Sequence, residues 1–136
     1  MDLAAVMDEI SAKLFAALPD VNPFPYPARS VTPTSHIISY PERIDYGTSY
    51  QNGQSRFEAL PVFIVFGKVT ELESRNAAAA FVKGSGASSV RQILEAGPYT
   101  NLWTLKVTDC EFSTMTEAGN TYLAAEFHCD ITGPGS

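Results

Sequence analysis

The run Leu60-Pro61-Val62-Phe63-Ile64-Val65-Phe66 decides the fold, because every position in it is apolar and none alternates with a polar one. A strand with one wet face alternates, so a strand apolar on both faces is expected to be buried on both. One layer of helix covers only one face. Either helices lie on both sides of the sheet, or a partner subunit supplies the second cover. Pro61 lacks the donor a ladder needs, which points to an edge or a bulge at the head of the run.

Working outward, Glu42 to Gln51 and Gln54 to Phe66 flank Asn52-Gly53, a strong signal for a hairpin with a tight turn. That turn pairs Tyr50 with Ser55, Thr48 with Phe57 and Tyr46 with Ala59. Tyr46, Thr48 and Tyr50 then share a face with Phe57, and Ile44 continues it. The tip, Ser49 to Arg56, is polar and longer than a small domain covers. A protruding β-arm over about positions 42–66 is the expectation. Before it, His36 to Tyr40 is a short β-rich run.

The chain opens on apolar positions Leu3, Val6, Met7, Ile10, Leu14, Ala17 and Leu18 at helical spacing, with Asp2 as N-cap and Pro19 as the stop. Asp8, Glu9 and Lys13 fall on the opposite, wet face. Prolines at 19, 23, 25, 27 and 33 then predict an extended, stiff loop with neither helix nor ladder pairing. Phe24 and Tyr26 inside it either anchor the loop or plug a neighbouring subunit.

Past the apolar run, Thr70 to Val82 reads as a helix with Thr70 and Glu73 as a capping box. Its Ala77-Ala78-Ala79-Ala80 face suits close packing. Gly84-Ser85-Gly86 breaks it, and a second helix from Ser88 to Ala96 starts at a Ser89/Gln92 box and ends at Gly97-Pro98. Trp103 to Met115 and Thr121 to Ile131 form a hairpin around Glu117 to Asn120. Leu123, Ala125, Phe127, Cys129 and Ile131 make its apolar face, and Tyr122, Glu126, His128 and Asp130 its polar one. Trp103, Leu105 and Val107 share a parity that Cys110 and Phe112 break, so a β-bulge is predicted near Thr108-Asp109. The fold class is α+β: a mainly antiparallel sheet of about five strands, an N-terminal helix and two central helices, in one domain over 1–136.

Composition excludes several functions. Nine basic residues against fifteen acidic ones give a net charge of −6, and the Lys and Arg residues form no cluster. Stable nucleic-acid binding needs such a cluster to release phosphate counterions. An acidic surface does allow DNA to slide past without sticking. The opening residues carry no basic secretion-signal region, and no apolar run reaches the ~20 residues that span a bilayer. A reducing cytoplasm is the expected place of synthesis and assembly.

Chemistry-bearing residues are sparse. The Gly84-Ser85-Gly86 loop lacks a P-loop lysine and follows a helix, so it reads as a turn. Cys110 and Cys129 lie diagonally on one apolar face and read as free buried thiols, ahead of a disulfide or a metal site. Cys129 and its neighbour His128 point to opposite faces, which defeats joint ligation. His36 and His128 have no nearby nucleophile in sequence, and no GxSxG elbow occurs. Glu71 and Glu73, and Glu111 with Glu126 or Asp130, are carboxylates on solvated faces. Neither a catalytic residue nor a cofactor or metal is expected. What is left unexplained is interaction surface.

The ordered pattern resembles tail terminator proteins of siphophages, particularly those of actinobacterial hosts. It runs through the opening helix from Met1-Asp2-Leu3 to Leu18, Tyr26-Pro27, Ser30-Val31-Thr32-Pro33, Tyr40-Pro41-Glu42 and Tyr46. Pro61-Val62, Val65-Phe66-Gly67-Lys68-Val69, Ser74-Arg75, Gly84-Ser85-Gly86-Ala87-Ser88-Ser89-Val90 and Tyr122-Leu123-Ala124-Ala125 continue it. The resemblance implies a homo-oligomeric ring, usually a hexamer, at the head-proximal end of the virion tail. Such a ring stops tube polymerisation, contacts the tail tube protein and the head-side stopper or connector, and passes DNA through its lumen. It involves no membrane and no catalytic residue. On the residues themselves, Tyr46, Thr48, Tyr50, Gln51, Asn52 and Arg56 of the arm and Phe24 and Tyr26 of the loop are the expected subunit and partner contacts. Glu111, Glu117 and Glu126 are candidate lumen carboxylates.

Overall fold

A computed structural model describes residues 1–27, 34–46, 54–117 and 119–134. The elements in chain order are α1 (Leu3–Ala17), β1 (Asn22–Phe24), β2 (Ser35–Ile38), β3 (Arg43–Asp45), β4 (Gln54–Lys68), α2 (Leu72–Phe81), α3 (Val90–Glu95), β5 (Thr104–Glu117) and β6 (Asn120–Pro134). They build the expected α+β fold on one mixed sheet of six strands, ordered β1-β2-β4-β6-β5 with β3 also on β4. Among the described residues only β1 against β2 is parallel.

Asp2 caps α1 as expected, its carboxylate accepting the Ala4 and Ala5 N–H groups at 3.0 and 3.4 Å. Val6, Met7, Ile10 and Leu14 carry the helix onto the sheet. The opposite side of α1 is not simply wet. Glu9 accepts the Thr100 N–H, the Thr100 hydroxyl and the Asn101 N–H at 2.7–2.9 Å. Lys13 donates to the Gly97 carbonyl at 2.8 Å and lies over the Tyr99 ring. The two side chains clasp the loop that leads from α3 into β5.

Three details of the sequence reading change. First, the proline-rich segment contains a strand: Asn22, Pro23 and Phe24 pair with Ser35, His36 and Ile37. Pro23 is tolerated there because β1 is the sheet's edge, where a missing outward donor costs nothing. Second, β3 meets β4 with Ile44 opposite Phe57 and Asp45 opposite Arg56, four positions out of step with a turn at Asn52-Gly53. The shift is even, so Ile44 keeps the Phe57 face. Third, α2 starts at Leu72 behind an N-cap Glu71 that makes no side-chain cap bond, so the Thr70/Glu73 box does not form. The Ser89 box forms by half: Ser89 Oγ accepts the Gln92 N–H at 3.2 Å, while the Gln92 side chain accepts from Gly86 instead.

The β5–β6 hairpin matches the reading. Glu117 faces Asn120 across the turn, with Gly119 at φ +79°, and the register slips between Val107 and Asp109, where the parity switch lies. A second slip, between Phe57 and Leu60 of β4, lies at the head of the apolar run, where Pro61 pointed to an edge or a bulge, and a third, between Val65 and Gly67, was not foreseen. At the second slip Ala59 adopts φ +53° and donates its N–H to Asp130 Oδ1 at 3.2 Å.

The core holds Val6, Ile10 and Leu14 of α1, Ala78 of α2, and Val90 and Leu94 of α3. Against them pack Ile38, Leu60, Val62, Ile64, Phe66, Ala125, Phe127, Cys129 and Ile131. All three helices therefore lie on one face of the sheet. Truncating a fully buried side chain such as Phe127 would cost about 3–5 kcal/mol.

Candidate assembly surface

The other sheet face carries no helix among the described residues. On it Ile37, Val65 and Ala124 form a second small apolar cluster, flanked by partly buried Phe24, Phe63, Met115 and Tyr122. This is the outward half of the Leu60–Phe66 run. Of the two covers that run allows, a second helix layer is not present among the described residues.

Further along the same face the surface turns acidic. Glu111 of β5 stands directly opposite Glu126 of β6, and Asp109 opposite His128. The His128 ring lies between carboxylates, Nδ1 bonded to Asp109 and Nε2 to Glu126 Oε2 at 3.0 Å. Burial pulls its pKa down, but the Asp109 hydrogen bond and the two negative charges outweigh this and leave it raised. Arg56 reaches Asp130 at 3.1 Å and Glu58 at 3.8 Å.

The expected contact residues divide four ways. Tyr46 (79% exposed) and Tyr26 (55%) are open aromatics. Phe24 is half-buried in β1 and meets Tyr26 edge to face. Thr48, Tyr50, Gln51 and Asn52 lie outside the described residues. Arg56 is committed to its own chain, and Ser55 and Phe57 beside it are buried. Positions 54–66 do not project: they pair with β6 from Gln54↔Pro134 onward and form the middle of the sheet. Only positions 47–53 of the expected arm fall outside the description. Among the candidate lumen carboxylates, Glu111 is exposed and Glu126 is held by His128. Glu117 closes β5 opposite Asn120.

Two features escaped the sequence reading. Leu3, Met7, Pro25, Tyr26 and Tyr40 line an apolar groove of about 440 Å³ beside the first turns of α1, with Asp8 at its rim. Beneath α1, Ser11 Oγ lies 2.7 Å from His36 Nε2, so His36 does have a hydroxyl at hand. The pair is sealed: Ser11 is 4% exposed and His36 fully buried, and His36 Nδ1 finds no partner among the described residues. A base in acyl transfer needs access and an orienting group on its second nitrogen. This pair has neither, and burial holds the His36 pKa at about 4.

The thiols are equally quiet. Both are free. Burial raises Cys110 to about 11, with Asp109, Glu111 and Glu126 adding to it. Cys129 is raised further by deeper burial. Neither is a thiolate near neutral pH.

An α+β domain whose three described helices all pack on one face of its sheet is the class this geometry defines. Among the described residues no helix is long and apolar enough to cross a membrane. The chain matches no family model and no curated protein.

Proposed function

We propose that this chain is a structural subunit that acts by closing into a ring with copies of itself, and that the ring is the tail terminator of a long-tailed phage. The observation that carries the first half is the one-sided helix layer. The apolar run of β4 is covered by helices on one face only. On its other face Ile37 and Val65 are buried under a rim of half-buried apolar side chains, Phe24, Phe63, Met115 and Tyr122, and it is this rim that a neighbour would cover. A neighbour's surface is the cover such a strand calls for. The second half rests on the ordered resemblance in sequence. On this reading the ring, a hexamer, ends the tail tube, docks the head-side stopper or connector, and lets DNA through a lumen to which the acidic face contributes. The virion tail is then its location, and it carries out no chemistry.

The test is to image the purified protein alone and with tail tubes. A closed ring seated on the head-proximal tube end is the expected result. A monomer that stays monomeric with tubes present refutes the ring. A ring that binds only head-side connectors refutes the terminator role and makes the chain a stopper or adaptor.

A further inference from the structure

We infer that the free edge of β5 from Glu111 to Thr116 is a docking site for an extended segment of a second protein, one that alternates basic and apolar side chains. Edge strands expose unpaired N–H and C=O groups, and proteins protect them with bulges, charges, proline or cover. The edge strands of this sheet, β1, β3 and β5, are managed unequally, and β3 offers only three residues, with charged Arg43 and Asp45 on either side of Ile44. β1 is three residues long and contains Pro23. The first half of β5 is also protected: its register slips after Val107, and the Val107 N–H is taken by Glu95 Oε2 at 2.9 Å. Glu95 lies at the end of α3, which packs on this part of the strand.

Beyond Cys110 these devices stop. Glu111, Phe112, Ser113, Thr114 and Thr116 are exposed, and among the described residues nothing caps an outward backbone group of this stretch. Phe112, on the helix-side face, is 57% exposed. Glu111, on the other face, opposes Glu126 directly, an unfavourable pairing of like charges. His128 binds Glu126, which leaves Glu111 without a cation among the described residues.

These features define the occupant. A strand added to this edge places one side chain beside Glu111, where Lys or Arg is favoured, and the next beside Phe112, where an apolar group is favoured. A second copy of this chain fits badly. Two β5 edges running antiparallel would bring Asp109 and Glu111 of one copy beside the same carboxylates of the other. The β1 edge of another copy is too short and lacks the Pro23 donor. The proposal is separate from the ring reading, and its test needs only the isolated protein.

The probe is a synthetic peptide, Thr-Lys-Val-Lys-Val-Lys-Thr, compared with its Glu-for-Lys counterpart and with a version N-methylated at alternate backbone nitrogens. Binding is read by fluorescence anisotropy, and the site by hydrogen exchange at amides 111–116. The Lys peptide should bind at least about tenfold more tightly than either comparator and protect those amides. Glu111→Lys should reverse the preference between Lys and Glu peptides, and Phe112→Ala should weaken binding about tenfold. Both positions are exposed, so both variants keep the fold. Equal binding of the Lys and Glu peptides overturns the inference, as does unimpaired binding of the N-methylated one. Self-association through this edge, seen as a dimer that Phe112→Lys dissolves, also overturns it by making the occupant a second copy.

Discussion

His36 makes the protein's stability sensitive to mild acid in a way that one substitution removes. Its ring is fully buried under α1, and burial alone holds its pKa at about 4 against an ordinary 6.5. Above pH ~6.5 both folded and unfolded chains carry it neutral, and it contributes no pH dependence. Below that the unfolded chain takes up a proton that the folded chain refuses, so folding is progressively disfavoured until the pH falls through the folded value. At about 1.4 kcal/mol per unit the full effect is about 3 kcal/mol, of which about 2 kcal/mol has appeared by pH ~5. His36→Gln keeps a group able to bond Ser11 and removes the titration. His36→Leu removes both. Urea unfolding between pH ~8 and ~5, with m-values checked for constancy, measures the difference. Wild type should lose about 2 kcal/mol more than either variant over that interval. Parallel stability curves for wild type and His36→Gln would refute the reasoning, because they would mean that His36 takes up its proton as readily in the folded chain as in the unfolded one.

His128 should behave with the opposite sign. Its folded pKa is raised by Asp109 and Glu126, so the stability it adds is present in acid and fades as pH rises through that raised value. Urea unfolding of wild type and His128→Asn should show a gap that is wider at pH ~5.5 than at pH ~8.5. Ala59→Gly should raise stability by up to about 1 kcal/mol, since φ +53° costs an alanine what it does not cost a glycine. A shift of the thermal midpoint reads it. Glu9→Ala removes three hydrogen bonds to a carboxylate and should cost about 1–2 kcal/mol, with faster hydrogen exchange at the Thr100 and Asn101 amides.

Where the sequence could be read, it was through period and parity. The strict alternation of β6, the parity break at Thr108-Asp109 and the helical spacing of α1 each record a local constraint that the residues themselves carry. What escaped depends on neighbours far along the chain. Asn52-Gly53 is a strong local turn signal, but Arg56 is held opposite Thr132 of β6 and Asp45 on the other side, and that pairing sets the register. Pro23 argues against a strand unless one knows that the strand lies at an edge. Pro61 announced a bulge at the head of its run, but not that Ala59 would close it on Asp130, which no local pattern brings near. Ser11 and His36 meet across a helix–sheet interface, and each alone looks ordinary. For the assembly surface, the apolar run announced two buried faces, and it could not say that only one would receive helices.

The position of β4 bears on how the chain reaches this state. The β5–β6 hairpin closes over a tight turn, and its pairings are local. The central strand's pairings are not: Gln54 must find Pro134, and Lys68 must find Tyr122. Pairing over such separations is slow, because the loop must close before any contact rewards it. The hairpin is thus expected to form first and to wait with the inner edge of β6 unpaired. Substitutions at the Gly119 turn should mainly slow folding, and those in β1 should mainly speed unfolding, a contrast that chevron kinetics can measure. During that wait the nascent hairpin offers two open edges rather than one, so the time at which the protein is most prone to pair wrongly comes before β4 arrives.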